Sequence, residues 1–188
     1  GEARSEKGAL DTPRLRPVKP DWASAAGRDE FGEWADIEIK GVVQRLRLIP
    51  AGEFLMGSPP GEGLDDERPQ TKITIAEPFW MFDTPVTREL WHAVMGTDPS
   101  HFKGRRRPVD SVRWYDANKF VETINELIPA LNVGLPSESR WEYSCRAGTT
   151  GARYHDDLDA IAWLRRNSVG QTHAVKRKLP NAWGLYDM

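Results

Sequence analysis

Hydrophobic and polar residues alternate in two stretches of the first half of the chain, and each stretch predicts a β-strand. In "VVQRLRLIP", Val43, Leu46 and Leu48 are spaced among polar neighbours, and "TKITI" repeats the alternation. Between them, "PAGE" is a turn sequence and "EFLMGS" reads as a returning strand, so we expect a hairpin there. "EPFWMFDTPVT" is apolar but interrupted by prolines, which favours an edge strand or an irregular segment.

Three later stretches have the periodicity and the end signals of helices. "TRELWHAVMG" begins at the N-cap residue Thr87 and ends at Gly96. "YDANKFVETINELIP" is the clearest, because its apolar residues recur with helical spacing until Pro129. "PSESRWEYSCRAG" is predicted to begin at Ser137 and to end at Gly148.

These elements leave long loops between them and predict a loop-rich α+β fold. Residues 1–20 carry charges and prolines without any period, so we interpret them as a tail or linker. Residues 21–42 have aromatic residues in a polar stretch, which indicates an N-terminal arm laid over the core. Residues 43–188 are predicted to hold the main domain.

The composition excludes several classes of partner. Apolar residues make up 39% and charged residues 29% of the chain, as in soluble globular proteins. The formal net charge of −2 indicates neither a nucleic-acid partner nor a membrane partner. We see no signal peptide and no apolar run near the ~20 residues that span a bilayer. A single Cys excludes an internal disulfide and favours a reducing compartment, so we expect a cytoplasmic location.

Five motifs in fixed order carry a family resemblance across residues 43–188. They are "IPAGEFLMGS", "PVT", "PVDSVRWYDA", "LPSESRWEYSCRAGT" and "PNAWGLYDM". Their succession resembles the formylglycine-generating enzyme family, also called the sulfatase-modifying-factor domain. The resemblance implies a variant of the C-type-lectin-like fold. The leader before the motifs is similar to the segment that precedes this domain in a bacterial subgroup, in which the domain is often fused to signalling or defence modules.

The resemblance also implies that the domain is incomplete at its C-terminus. In the family, the "GLYDM" motif is followed by a long C-terminal part that completes the core. We therefore expect this chain to be the N-terminal part of such a domain. Its expected partner is a complementing C-terminal part or a second polypeptide, besides an unidentified protein or ligand.

Active members of the family are implied to oxidise a sulfatase cysteine to formylglycine with dioxygen and copper(I) held by two thiolates. Both of those cysteines belong to the C-terminal part, and a soft metal needs such soft ligands. Cys145 is the only Cys of this chain, so we assign no catalytic residue and expect no oxidase activity from these residues alone. Cys145 is either a reactive or paired thiol or, as free cysteines commonly are, a small buried residue.

Calcium is the other metal that the resemblance implies. By motif match, Asn167 and the carbonyl of Ser168 contribute to one site, and Asp187 begins a second site whose other ligands lie in the missing segment. Calcium prefers such oxygen ligands. The alternative is that Asn167 builds a turn and Asp187 binds local backbone N–H groups. The histidines (His92, His101, His155 and His173) have no spacing typical of a metal site.

Two further features remain open at the level of sequence. Relatives in the family often place Glu where this chain has Arg140, so the helix from Ser137 loses its capping box and begins more weakly. The basic stretch "KGRRRP", residues 103–108, is either an anion site or a solvated loop.

Two functions from different classes therefore stand. The first is a non-catalytic binding or adaptor domain whose variable loops recognise a protein or ligand, as variable proteins with a related fold do. It would be part of a larger bacterial signalling, defence or variable ligand-binding protein. The second is the N-terminal part of a copper-dependent oxidase whose cysteine pair lies downstream.

Overall fold

The structure is a computed structural model that describes residues 18–188. The prediction of a tail over residues 1–20 falls for its first 17 positions outside the described residues. The strands are β1 (Ala25–Asp29), β2 (Gly32–Ile39), β3 (Val42–Ile49), β4 (Gly52–Met56), β5 (Thr71–Ile75) and β6 (Phe79–Phe82). The helices are α1 (Arg88–Met95), α2 (Trp114–Leu127), α3 (Glu138–Arg146) and α4 (Leu158–Ile161), and a short 3-10 turn spans Asp65–Glu67.

An antiparallel sheet in the order β1-β2-β3-β6 forms the centre of the molecule. The stretch predicted as an N-terminal arm supplies the whole of β1 and β2, and it is therefore part of the sheet. Lys40 and Gly41, with φ of 49° and 77°, form the tight turn between β2 and β3. Among residues 18–188, β6 is the last strand of this sheet, which confirms the edge strand predicted for its sequence.

The hairpin predicted from "PAGE" and "EFLMGS" is wrong. β4 pairs with β5 in a separate two-stranded sheet, with Gly52 opposite Ile75 and Met56 opposite Thr71. β3 is already paired with β2 on one side and β6 on the other, so neither edge of β3 is free to pair with β4. The Tyr143 hydroxyl donates a hydrogen bond to the Pro50 carbonyl at 3.1 Å, which fixes the corner where the chain leaves the sheet.

Two apolar cores lie on opposite faces of the central sheet. Side chains alternate along β6, so that Trp80 and Phe82 join one core and Phe79 and Met81 the other. The first core fills the space between the sheet, α1 and α2, and contains Ile37, Ile39, Leu46, Leu90, Trp91, Ala93, Val94, Phe120, Ile124 and Leu131. The second core, of Ile49, Ile75, Tyr143 and Leu185, joins the sheet to β5, α3 and the C-terminal segment.

The predicted starts of α1 and α3 are confirmed, as is the predicted end of α1. α3 ends at Arg146 with Ala147 as its C-cap, and so before the predicted Gly148. The Thr87 hydroxyl accepts a hydrogen bond from the Leu90 N–H at 3.3 Å, and Gly96 ends α1 at a φ of 72°. The Ser137 hydroxyl accepts one from the Arg140 N–H, also at 3.3 Å. Arg140 lacks the carboxylate of a capping box, and its guanidinium instead lies 5.0 Å from the centre of the Phe79 ring.

The last quarter of the chain, residues 148–188, is mostly loop and contains the short helix α4. Polar side chains attach these loops to the rest of the fold. The Asn181 amide, 2% exposed, donates to the carbonyls of Ser144 and Cys145 and accepts from the N–H groups of Trp183 and Leu185. None of the described helices has the length and apolar character needed to cross a membrane.

Candidate binding surface

An open groove of about 560 Å³ lies between the β2–β3 turn and helix α1. Val42 and Ala93 are the apolar side chains of its lining, and we call these two residues its floor. The charged and basic residues that line it are Lys40, Arg88, Glu89, His92, Asp98 and Arg105. The tight turn places Lys40 at the groove, and the buried opposite side of α1 (Leu90, Trp91, Val94) turns Arg88 and His92 outwards.

Two ion pairs hold the groove walls in place. The Arg88 guanidinium donates to both oxygens of Asp98, with Nε 3.0 Å from Oδ1. This contact lowers the pKa of Asp98 to about 2. Arg105 binds the neighbouring Glu89, with Nε 3.2 Å from Oε2. Within residues 18–188, no carboxylate lies within ion-pair distance of Lys40, so its ammonium is not neutralised there.

The basic stretch that contains Arg105 runs beside the start of α1. The N–H groups of Arg88 and Glu89 donate to the carbonyls of Arg107 and Arg105 at 2.9 and 3.0 Å. A short β-bridge between Thr87 and Pro108 continues this contact. The stretch therefore forms a rim of the groove with a defined backbone path.

A second basic segment, "VKRK" at residues 175–178, lies against this rim. The Val175 N–H donates to the Arg106 carbonyl at 2.9 Å. Arg107 adds side-chain bonds to the Thr172 carbonyl and to Oε1 of Gln171. Residues separated by about seventy positions in sequence thus meet, and we call residues 103–107 and 175–178 together the basic rim.

Two contacts of Lys176 fix the second segment of the basic rim. Nζ of Lys176 lies 2.5 Å from Oδ2 of Asp83, and the Lys176 N–H donates to Oδ2 of Asp187 at 2.9 Å. Asp83 is 1% exposed, and Gln44 donates to its Oδ1 at 3.2 Å. Burial raises the pKa of Asp83, while Lys176 acts in the opposite direction. This pairing is structural, because it anchors the loop to the end of β6.

Two arginines of the basic rim, Arg106 and Arg177, are exposed. Neither makes an ion pair with any carboxylate in the described part of the chain. Lys178, by contrast, lies 4.1 Å from the centre of the Trp163 ring and donates to the Asp159 carbonyl. The sequence had identified only the first half of this surface, "KGRRRP". The contact with "VKRK" has no local signal, since it depends on a backbone hydrogen bond between distant loops.

The residues predicted for calcium are already engaged in hydrogen bonds. Oδ1 of Asn167 accepts from the Leu164 N–H at 2.6 Å, and its amide donates to Asp159 and to the Ala162 carbonyl. The Ser168 carbonyl accepts from the Gln171 N–H and is 2.9 Å from Nε2 of His173. This arrangement does not fit an ion on the Ser168 oxygen unless those donors leave. The calcium ligands Asn167, Ser168 and Asp187 remain a prediction.

The environment of Cys145 suits a packed side chain. The thiol is half-buried and unpaired, and burial raises its pKa, which lowers the fraction of reactive thiolate. His173 stacks on Trp163 with ring centres 3.7 Å apart. Among the described residues, no group of three or more His, Cys, Asp and Glu side chains is arranged to hold a metal ion.

The fold and the motif order define a class of protein. The family described as the sulfatase-modifying factor enzyme 1-like domain matches residues 36–188. The chain belongs to this family, which confirms the resemblance drawn from the five motifs.

Known relatives share this domain in different settings. The chain is 29% identical over 173 residues to the serine/threonine-protein kinase pkn1 of Chlamydia pneumoniae, covering 78% of this chain and 26% of the kinase. It is 33% identical over 90 residues to the formylglycine-generating enzyme of Mus musculus, covering 46% of this chain and 22% of that enzyme. The chain spans less than half the length of the curated relatives it matches.

A solved structure confirms the α+β, loop-rich fold with antiparallel sheets. Treponema denticola variable protein 1 superposes with a TM-score of 0.68 at 25% identity, over 81% of this chain and 72% of that chain.

Proposed function

We propose that this domain is a non-catalytic binding or adaptor module within a larger bacterial signalling, defence or variable ligand-binding protein. The observation that carries the proposal is the groove between the β2–β3 turn and α1, with its basic rim. Ion pairs and backbone hydrogen bonds hold its walls on a rigid sheet, and binding sites are commonly built on loops placed by such a scaffold.

The chemistry of the single thiol supports a binding role. Cys145 is half-buried with a raised pKa, the opposite of the environment that activates a nucleophilic cysteine. The groove lining contains ammonium, guanidinium, imidazole and carboxylate groups, and its carboxylates are each paired with an arginine. Such groups recognise a ligand by charge and hydrogen bonding.

The relatives support the same interpretation. One related protein is named a kinase, another a formylglycine-generating enzyme and a third a variable protein. One scaffold therefore occurs in proteins with different names and roles, so its function lies in the site that each chain builds on it.

The similarity to the mouse formylglycine-generating enzyme favours a second candidate, the N-terminal part of a copper-dependent oxidase. That function needs two closely spaced cysteines on additional polypeptide, because this chain has one. Their presence in the full-length protein would favour the oxidase over the adaptor.

The test uses the full-length protein that contains this chain. It is incubated with copper(I), dioxygen and a cysteine peptide of the sulfatase type, with mouse formylglycine-generating enzyme as positive control. We expect mass spectrometry to show no formylglycine, and conversion of the peptide would overturn a non-catalytic role.

A second arm tests binding directly. In protein produced in cells, a photo-crosslinking amino acid replaces Arg106 on the basic rim or, as control, Arg28 on β1. Arg28 lies opposite Glu33, about 23 Å along β2 from the groove at the usual rise per residue. We expect a discrete crosslinked species from position 106 alone. Equal or absent crosslinking at both positions would contradict a binding role for the groove.

A further inference from the structure

We propose that the groove and its basic rim receive an acidic segment of a partner protein, in which carboxylates flank a small apolar side chain. This inference rests on the proposed binding function and specifies its ligand chemistry. It depends on three observations: basic side chains without ion pairs, nearby acids that are already neutralised, and an apolar floor.

The basic rim concentrates positive charge from two distant parts of the chain. Residues 103–107 contribute Lys103, Arg105, Arg106 and Arg107, and residues 175–178 contribute Lys176, Arg177 and Lys178, with no acid in either segment. The Val175–Arg106 backbone hydrogen bond of 2.9 Å places the segments side by side. A surface with one sign of charge attracts the opposite sign.

The acids around this surface are already used. Asp98 is bound by Arg88 and by Lys103, and Glu89 is bound by Arg105. Asp83 is bound by Lys176, whose N–H also donates to Asp187. Lys40, Arg106 and Arg177 have no such partner among residues 18–188. Carboxylates of a partner would therefore meet cations that the fold itself does not neutralise, and a guanidinium fork binds a carboxylate through two parallel hydrogen bonds.

The floor of the groove adds an apolar requirement. Ala93 is 6% exposed and Val42 is half-buried, and both line the groove between the charged walls. A small apolar side chain of the partner can contact this floor while its acidic neighbours reach Lys40 and the basic rim, whose Arg105 lines the same groove. Since the backbone of the rim is already held by hydrogen bonds, little ordering is needed on binding.

The same observations disfavour nucleic acid as the ligand. The Trp163 ring near the rim already contacts His173 at 3.7 Å and Lys178 at 4.1 Å, so it is not a free platform on which a base can stack. The formal net charge of −2 points in the same direction.

The experiment measures fluorescence anisotropy of a labelled Glu-Asp-Ala-Asp-Glu peptide titrated with the full-length protein. The variant Arg106→Glu/Arg177→Glu is compared with the control Arg113→Glu/Arg153→Glu. The control makes the same change of charge at exposed arginines that lie outside the basic rim and form no ion pair with the described residues. We expect about tenfold weaker binding for the first variant and less than about twofold for the control. Binding of the wild type should weaken as salt is raised.

Several outcomes would overturn the proposal. They are equal loss of affinity in both variants, tighter binding of polyuridylate than of the peptide, or absence of peptide binding. The exposed acidic loop of this chain, residues 62–67, supplies another possible occupant. Self-association in sedimentation that is abolished by Asp65→Lys/Asp66→Lys would show a second copy in the groove and overturn a separate acidic partner.

The experiments distinguish failure of the binding function from failure of the acidic ligand. If crosslinking from position 106 captures a discrete partner while the peptide does not bind, the binding function stands and the acidic ligand is wrong. If neither is observed, both are wrong. Arg106 and Arg177 make no ion pair with the described residues, so we expect their variant to unfold at the same denaturant concentration as the wild type.

Discussion

The sheet-and-helix region, residues 25–128, and the C-terminal loops, residues 148–188, are held together by different forces. In the first region, apolar side chains such as Ile37, Leu46 and Ile124 are 0% exposed in one shared core. In the loops, buried apolar residues are scattered, and Asn181, Asp187 and Lys176 make the contacts that position the backbone.

The difference shows which interactions fix the structure of each region. Burial of apolar surface is non-directional and tolerates small shifts, whereas a buried polar contact requires each partner at a defined distance. The loops carry half of the basic rim, so the geometry of the candidate surface depends on the polar contacts. Substitutions in the two regions should therefore differ in how much they lower the free energy of unfolding and in how much of the molecule they affect.

The largest effect is expected in the apolar core. Leu46→Ala removes a fully buried side chain and leaves a cavity, so the free energy of unfolding should fall by about 3 kcal/mol. Urea unfolding followed by Trp fluorescence measures it. Val43→Ala on the same strand is the control, because Val43 is 57% exposed and should change stability by less than about 0.5 kcal/mol. Equal effects of the two changes would contradict the core assignment.

Asn181→Ala should have the next largest effect, concentrated in the loops. It leaves the buried carbonyl of Ser144 and the N–H of Leu185 without their side-chain partner, at a cost of about 2 kcal/mol. Hydrogen exchange should show lost protection at Trp183 and Leu185 while amides of β3 keep theirs. Asn118→Ala, which removes one exposed hydrogen bond in α2, is the control. Uniform loss of protection would mean that the two regions unfold as one unit.

Ser137→Ala should cost about 1 kcal/mol, because the α3 N-cap loses the hydroxyl that accepts from the Arg140 N–H. Thermal unfolding measures the change, and Ser137→Asp should restore stability since Asp also caps helices. A full effect in both variants would show that the hydroxyl acts through something other than the cap.

The smallest change at neutral pH is expected from Asp83→Asn, since lost ion pairing with Lys176 and relieved burial of a charge oppose each other. Burial raises the pKa of Asp83 above its usual 3.8, so the folded state binds the proton more tightly than the unfolded state. This group's contribution to the free energy of unfolding therefore rises as the pH falls through the folded pKa towards 3.8.

The difference between wild type and Asp83→Asn across that pH window isolates the contribution of this carboxyl. Other carboxylates act oppositely; Asp98, with a pKa of about 2, loses its stabilising contribution below 3.8. Asp98 is unchanged in the variant and cancels in the comparison. A pH-independent difference would show that Asp83 has the same pKa in the folded and unfolded states.

Sequence reasoning succeeded where the signal is local. Thr87 and Gly96 mark the ends of α1, and Ser137 begins α3, as their residue types predict. It failed for "EFLMGS", because strand pairing depends on which ladders are already occupied. It also missed the meeting of Arg106 with Val175, for which neither segment contains a cue.

The sequence by itself determined the family, through five motifs in order, and determined most helix and strand positions, through periodicity and capping residues. Only the tertiary structure decided that β4 pairs with β5, that Asp83 is buried beside Lys176, and that two basic segments form one rim. The physical reason is the separation along the chain of the residues that each interaction joins. Caps and periodicity act between residues a few positions apart, whereas pairing and burial are settled by competition among all distant segments of the chain.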